Sequence, residues 1–303
     1  MTDVTHEGDA GPQAGAPGMR CGTFNVLHGR ALCGDGRPVP FAPGDPRAPL
    51  ATAVAAVDAD LLALQEVDRF QDRSGLVDQA AVAAAAMDAV DWRYASAVHG
   101  RTVPGRGWVP DPEVPGARLY GPGDVAGAAG AAPSLGIALL SRRPVRAWRV
   151  LRLAPAPVPL PLRVAGRAGL VLSRDQARAA VAAVVEGERG ASFTAVALHL
   201  SFVPGWNARQ LRAVRRWIVD LPRPWLLLGD FNLVGPLPRA VLNGPLGGEW
   251  ADLARTPTYP AHRPAVQFDH LLAAGVGEAA VGAVCAPRTG ISDHRPLLAE
   301  LPL

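Results

Sequence analysis

The sequence predicts a layered α/β sandwich in which helices cover mixed sheets, and three observations carry that prediction. Short apolar runs alternate with helical patterns over most of the 303 residues. Two of the runs are joined by Glu186-Gly-Glu-Arg-Gly190, a hairpin signal, so antiparallel pairs occur beside strands that helices separate. A 49% hydrophobic composition over this length can fill one sizeable core.

The elements follow in order. Residues 1–19 are polar and rich in Gly, Ala and Pro, with no basic start and apolar block. They read as a disordered leader and not as a secretory signal. Residues 20–303 read as one domain. Its apolar runs predict strands at 21–27, 61–67, 135–140, 178–185, 192–200, 225–228, 268–273 and 296–301. Helical patterns fall at 47–57, 77–90 and 207–219; in the last, Leu211, Val214 and Ile218 share one face and the arginines largely occupy the others. The Gly/Pro-rich stretch 100–133 reads as a long surface insertion, and no internal repeat is evident.

Composition excludes several classes. No apolar stretch approaches the ~18–20 residues that a membrane-spanning helix needs. Cys21, Cys33 and Cys285 form no CxxC pair and are odd in number. They predict neither a disulfide framework nor a zinc site, and a cytoplasmic setting is expected. Thirty basic residues stand against 27 acidic ones, for a net charge of +3. Every basic one is arginine, which reads as codon bias rather than as a nucleic-acid surface.

Polar residues interrupt these runs at particular places. Asn25 breaks the first run, Glu66 closes Leu61-Leu-Ala-Leu-Gln65, His199 nearly closes the run from Phe193, and Asp230 and Asn232 follow Trp225-Leu-Leu-Leu-Gly229. These are strand C-terminal ends. Asp269 with His270, and Asp293 with His294, instead open runs. If the latter strands run antiparallel to the former, both sets meet at one rim. Taken singly, each has a plainer reading: Asn25 a turn former, Glu66 a solvated strand end, His199 a core histidine, Asp230 a cap. His270, alternating away from Asp269, reads as structural. Together the set offers carboxylates, carboxamides and histidines without a thiolate, which suits Mg²⁺, Mn²⁺ or Ca²⁺ and metal-assisted hydrolysis of a phosphate ester.

The order of motifs Thr23-Phe-Asn25, Leu64-Gln-Glu66-Val67-Asp68, Gly136-Ile-Ala-Leu-Leu-Ser141-Arg142, Leu198-His199-Leu200, Gly229-Asp230-Phe-Asn232, Phe268-Asp269-His270 and Ser292-Asp293-His294 resembles the endonuclease/exonuclease/phosphatase superfamily. The likeness extends over nearly the whole chain, from Cys21 to Leu301. It implies a four-layer α/β/β/α sandwich of the deoxyribonuclease I type, two packed mixed sheets with the site at one rim. It further implies Glu66 as principal metal ligand, with Asn25 and Asp293 beside the metal, which would be Mg²⁺ with Mn²⁺ as the substitute. Asp230 would position or activate the attacking water, and Asn232 would fix phosphate and metal geometry. His294, oriented by Asp269, would serve as acid/base or phosphate-binding group, and His199 would stabilise the pentacovalent transition state. One metal and two metals both remain open.

Glu66 is followed by Val67-Asp68 and not by the Thr-Lys of abasic-site endonucleases, so the chain looks less like that branch. The closest resemblance is to uncharacterised bacterial members with a compact single domain. The leading expectation is a Mg²⁺-dependent phosphodiesterase acting on nucleic acid, as a monomer. A phosphatase or sphingomyelinase-like lipid phosphodiesterase acting on a small phosphorylated head group, and a catalytically silent partner-binding relative, are the alternatives. The 100–133 insertion, with Arg101, Arg106, Trp108 and Arg118, is expected near the active rim.

Overall fold

A computed structural model describes residues 18–33, 37, 39, 44–103, 106–114, 116–124, 131–162, 169–187, 190–245 and 247–303. In chain order the elements are β1 (Met19–Asn25), α1 (Ala48–Val57), β2 (Leu61–Arg69), α2 (Gln79–Ala86), β3 (Asp91–Val103), β4 (Gly107–Pro110), β5 (Leu119–Tyr120), β6 (Ser134–Ser141), β7 (Val145–Leu153) and β8 (Leu160–Leu162). There follow β9 (Val171–Ser173), β10 (Arg178–Glu186), β11 (Ser192–His199), α3 (Trp206–Trp217), β12 (Trp225–Asp230), α4 (Leu237–Asn243), β13 (Trp250–Asp252), β14 (Asp269–Ala274), β15 (Val284–Cys285) and β16 (Leu297–Leu301). One sheet has the order β15-β16-β1-β2-β6-β3-β4, with β5 also on β3, and the other β13-β14-β12-β11-β10-β7.

The strands are apolar almost throughout because both of their faces are covered. Leu61 and Ala63 point between the sheets, where they meet Val181, Ala195, Leu226 and Leu271. Leu62 and Leu64 point the other way, onto Leu50, Val54 and Ala83 of α1 and α2. The same alternation in β12 sends Leu226 and Leu228 inward and Trp225 and Leu227 out to Leu211 and Val214 of α3. Three apolar layers between four structural layers result: this is the α/β/β/α sandwich expected.

Differences from the predicted elements have local causes. The first strand starts at Met19, two residues early, because Met19 pairs with Leu301 and fills the inter-sheet layer. The rest of the proposed leader, residues 1–17, lies outside the described residues. Helix α2 is shorter than 77–90, with the Asp78 carboxylate accepting from the Ala81 amide at 3.2 Å as its N-cap. Strand β7 escaped prediction because it is a sheet edge whose Arg146, Arg149 and Arg152 are exposed. The start of the proposed insertion continues β3 to Val103, and β4 and β5 within it both pair with β3.

Candidate active site

Strand polarity assembles the site. β1 runs parallel to β2, and β11 parallel to β12, whereas β14 is antiparallel to β12 and β16 to β1. The C-terminal ends of the first four and the N-terminal ends of the last two therefore share one rim. His199 is paired with Asp230 and Asp230 with Asp269, so these three stand abreast on adjacent strands.

Asp230 is the focus. Its Oδ2 accepts from Asn25 Nδ2 at 3.1 Å and lies 3.7 Å from His199 Nε2 and 3.9 Å from His294 Nε2. Its Oδ1 accepts the backbone N–H of Asn232 at 2.9 Å. Asn232 takes a left-handed backbone (φ 49°), its Nδ2 donates to the Leu200 carbonyl at 3.0 Å, and Asn207 in turn holds its carbonyl at 2.8 Å. Asn232 thus fixes the turn that carries Asp230. His294 Nδ1 meets Asp269 Oδ2 at 2.8 Å, an oxygen that also accepts the Thr258 hydroxyl. Ser292 sets the loop by donating to the Asn25 carbonyl at 2.5 Å and accepting the His294 amide at 3.1 Å.

Glu66 reaches the rim through a β-bulge. Opposite β6 the register jumps between Leu64 and Val67, and Glu66 itself has φ 55°. Gly136 faces this bulge, and a Cβ there would lie 2.0 Å from the Ala95 carbonyl oxygen, so only glycine fits. Asn25 Nδ2 lies 3.3 Å from Glu66 Oε1 and so spans Glu66 and Asp230. Of the nine non-glycine residues with positive φ among the described residues, Leu27, His28, Glu66, Asn232 and Ser292 adjoin this rim. Backbone strain collects where a functional site holds its groups in place.

Charge and burial set the protonation states. Burial raises the Asp230 carboxyl, with Asp269 adding to it against His294. Burial opposes a charge on His294, yet Asp269, Asp230 and Asp293 together push it up to about 10. His199 is held well below its usual range by burial and by Arg178, so its imidazole is neutral. Burial also raises Asp293, with Glu66 close enough to add to the effect. Asp230, Asp269 and Asp293 thus crowd around one imidazolium with Glu66 close by, and Asp269 Oδ1 is buried with no hydrogen-bond partner among the described residues, an oxygen-rich set that could hold a hard divalent cation. Asp230, Asp269 and His294 also offer ligand atoms within 4.8 Å of one another. His294 Nδ1 and Asp269 Oδ2 are, however, engaged with each other.

All eight residues expected at the site lie along this rim. His270 points away from it, fully buried, with Nε2 2.9 Å from the Leu233 carbonyl and its ring edge-on to Phe231. Sequence reasoning missed His28, Asp68, Arg73, Arg178 and Thr258. His28 Nε2 lies 3.5 Å from Glu66 Oε2 and its Nδ1 3.3 Å from Asp68 Oδ1, while Arg73 grips Asp68 through two hydrogen bonds of 2.8 and 2.7 Å. Asp68 within Gln-Glu-Val-Asp was the available signal: a second carboxylate inside an otherwise apolar run, fully buried in the fold and therefore in need of a cationic partner.

The fold and this rim define a family. The sequence pattern of the Endonuclease/Exonuclease/phosphatase family matches residues 22–294, and the chain belongs to that family, whose members are hydrolases of phosphate esters. Among solved structures, an endonuclease/exonuclease/phosphatase from Beutenbergia cavernae is similar at a TM-score of 0.57 and 22% identity, over 94% of this chain and 72% of that one. A mannosyl-6-phosphatase from Bacteroides thetaiotaomicron is similar at 0.55 and 16%, over 93% and 99% of the two chains. A 3'-5' exonuclease from Neisseria meningitidis is similar at 0.51 and 17%, over 94% and 100%. No curated protein matches the chain by sequence.

Proposed function

We propose that this chain is a Mg²⁺-dependent phosphoesterase of the cytoplasm, acting as a monomer and cleaving its ester by in-line attack of water. The convergence of Asn25, His199 and His294 on the single oxygen Asp230 Oδ2 carries this reading. Glu66, with Asn25 and Asp293 beside it, would hold the cation, which when bound neutralises charge on the phosphoryl oxygens. Asp230, raised by burial, is suited to orient a water and accept its proton near neutral pH. His294 keeps its proton against Asp269 and can donate it to the departing oxygen or bond a phosphoryl oxygen. Neutral His199 can donate a hydrogen bond to a phosphoryl oxygen as negative charge builds there.

A nucleic-acid diester is the leading expectation for the substrate. One observation favours the second reading, a small phosphorylated head group: beside Glu66 lies a cavity of about 240 Å³, lined by Arg73 and Arg178. The test is Mg²⁺-dependent hydrolysis of duplex DNA, single-stranded RNA and sphingomyelin against nucleotides and inositol phosphates, with His294→Ala as control. Hydrolysis lost in the variant supports the phosphoesterase reading, and the substrate turned over decides between the two classes. Hydrolysis that survives in folded His294→Ala overturns the assignment, and silence on every ester leaves the partner-binding relative.

A further inference from the structure

The cavity of about 240 Å³ opens between the ends of the two sheets. Glu66 of β2 lines it on one side with His28 and Arg73 of the turns after β1 and β2, and Arg178 of β10 and His199 of β11 line it on the other with Gln176. Two guanidinium groups therefore face one space beside the catalytic rim, and each is held in place from behind. Asp68 is fully buried and grips Arg73 at Nε and Nη2, with Nη2 also 3.1 Å from His28 Nδ1. Among the described residues no acceptor meets Arg73 Nη1. Although burial pulls the Asp68 carboxyl upward, His28 and Arg73 hold it well below the usual carboxylate range.

Arg178 is less satisfied still. Its side chain is 15% exposed, its Nε is buried without a hydrogen-bond partner, and Asp175 Oδ1 stands 3.7 Å from Nη2, beyond hydrogen-bond reach. Its Nη1 lies 3.3 Å from both ring nitrogens of His199, which offer one lone pair at most. Among the described residues the five donors of this cation meet one acceptor; the buried Nε is costly to leave unpaired, and the groups that face the cavity are free to bond an oxygen-rich ligand. Because Asp68 and Asp175 offset the net charge, what remains is directional donor capacity, which suits the planar fork–oxyanion pairing of arginine. A volume of about 240 Å³ equals roughly eight waters, below the range of cavities that enclose a drug-sized ligand. It admits a hydrated phosphate or carboxylate and no nucleoside.

We infer that Arg73 and Arg178 form a clamp for a second anionic group of the substrate, so that the enzyme prefers small phosphate esters that carry another phosphate near the one cleaved. This rests on the phosphoesterase reading above. The test compares kcat/KM for inositol 1,4-bisphosphate and inositol 1-phosphate in Mg²⁺, in wild type, Arg178→Gln and Arg73→Lys, the last retaining charge against Asp68 while losing the fork. The expected wild-type preference is about ten- to hundredfold for the bisphosphate, expressed mainly in KM, and it collapses toward one in both variants. The ratio is read because Arg178 touches His199, so either variant can lower both rates together.

Hydrolysis of both esters at equal efficiency, or a preference that Arg178→Gln retains, overturns the clamp while the phosphoesterase stands. Calorimetric titration of the metal-free protein with inorganic phosphate gives a readout independent of turnover. Binding by wild type and its loss in Arg178→Gln is expected. Equal binding by both, or none by wild type, overturns the clamp whatever the activity shows.

Discussion

Asp230 and His294 share one difficulty, a charge far from water, and each is the other's partial remedy. Removing either leaves the rest of the rim in place, since Asp230 ends β12 and His294 lies in the loop before β16, both outside the three apolar layers. Asp230→Ala and His294→Ala are each expected to lower kcat by roughly 10² or more with an unchanged circular dichroism spectrum. Asp252 presents the contrasting case of a buried carboxylate with no catalytic use. Burial pushes its pKa up to about 6, and its Oδ1 has no hydrogen-bond partner among the described residues. The folded protein then holds a proton that the unfolded chain, with a pKa near 3.9, releases. Stability is therefore lost as pH rises from about 4 to about 6. Asp252→Asn is expected to raise Tm by a few degrees at pH 8 and to change it little at pH 4. Asn25, Glu66, His199, Asp230 and Asp269 were legible because each interrupts or bounds an apolar run. Arg73 and Arg178 were not, since their partners His28 and His199 lie 45 and 21 residues away and no spacing rule links them.

The bulge in β2 is the element on which Glu66, the proposed metal ligand, depends. It turns Glu66 out of the ladder while Leu61–Leu64 keep their alternation between the two apolar layers. Gly136→Ala would drive a methyl group into the Ala95 carbonyl and part β3 from β6. It is expected to cost about 2–4 kcal/mol in urea denaturation and to lower activity by moving Glu66. The turn after β2 is braced as well: Gln71 donates to the Gly100 carbonyl at 2.7 Å and accepts from the Thr102 amide at 3.1 Å. The 100–133 stretch thereby begins against the turn that presents Arg73. Central strands could be read within one or two residues because two covered faces leave an unbroken apolar run. β3 escaped because Arg93, Ser96 and His99 break its run, although Ser96 and His99 are buried through hydrogen bonds made only in the fold. The bulge itself has no local signature, for it answers to the opposing strand.

For the whole molecule, the three apolar layers are independent of any ion, and metal loss is therefore separable from unfolding. Chelation is expected to abolish hydrolysis without altering the far-ultraviolet spectrum, and Mg²⁺ to restore it. Mg²⁺ is also expected to raise Tm by mass action, and Glu66→Ala to reduce this gain and shift the activity titration to higher Mg²⁺. The meeting of both sets of polar residues at one rim was readable only as a condition on strand direction, which the parallel β11–β12 and antiparallel β12–β14 pairs satisfy. That alignment has a thermal consequence. His199, Asp230 and Asp269 are spaced by the interstrand repeat of about 4.8 Å common to all sheets, a distance that backbone hydrogen bonds maintain. Warming loosens side chains long before it separates strands. Turnover is thus expected to climb with temperature up to the unfolding transition, with heat inactivation and strand separation sharing one midpoint.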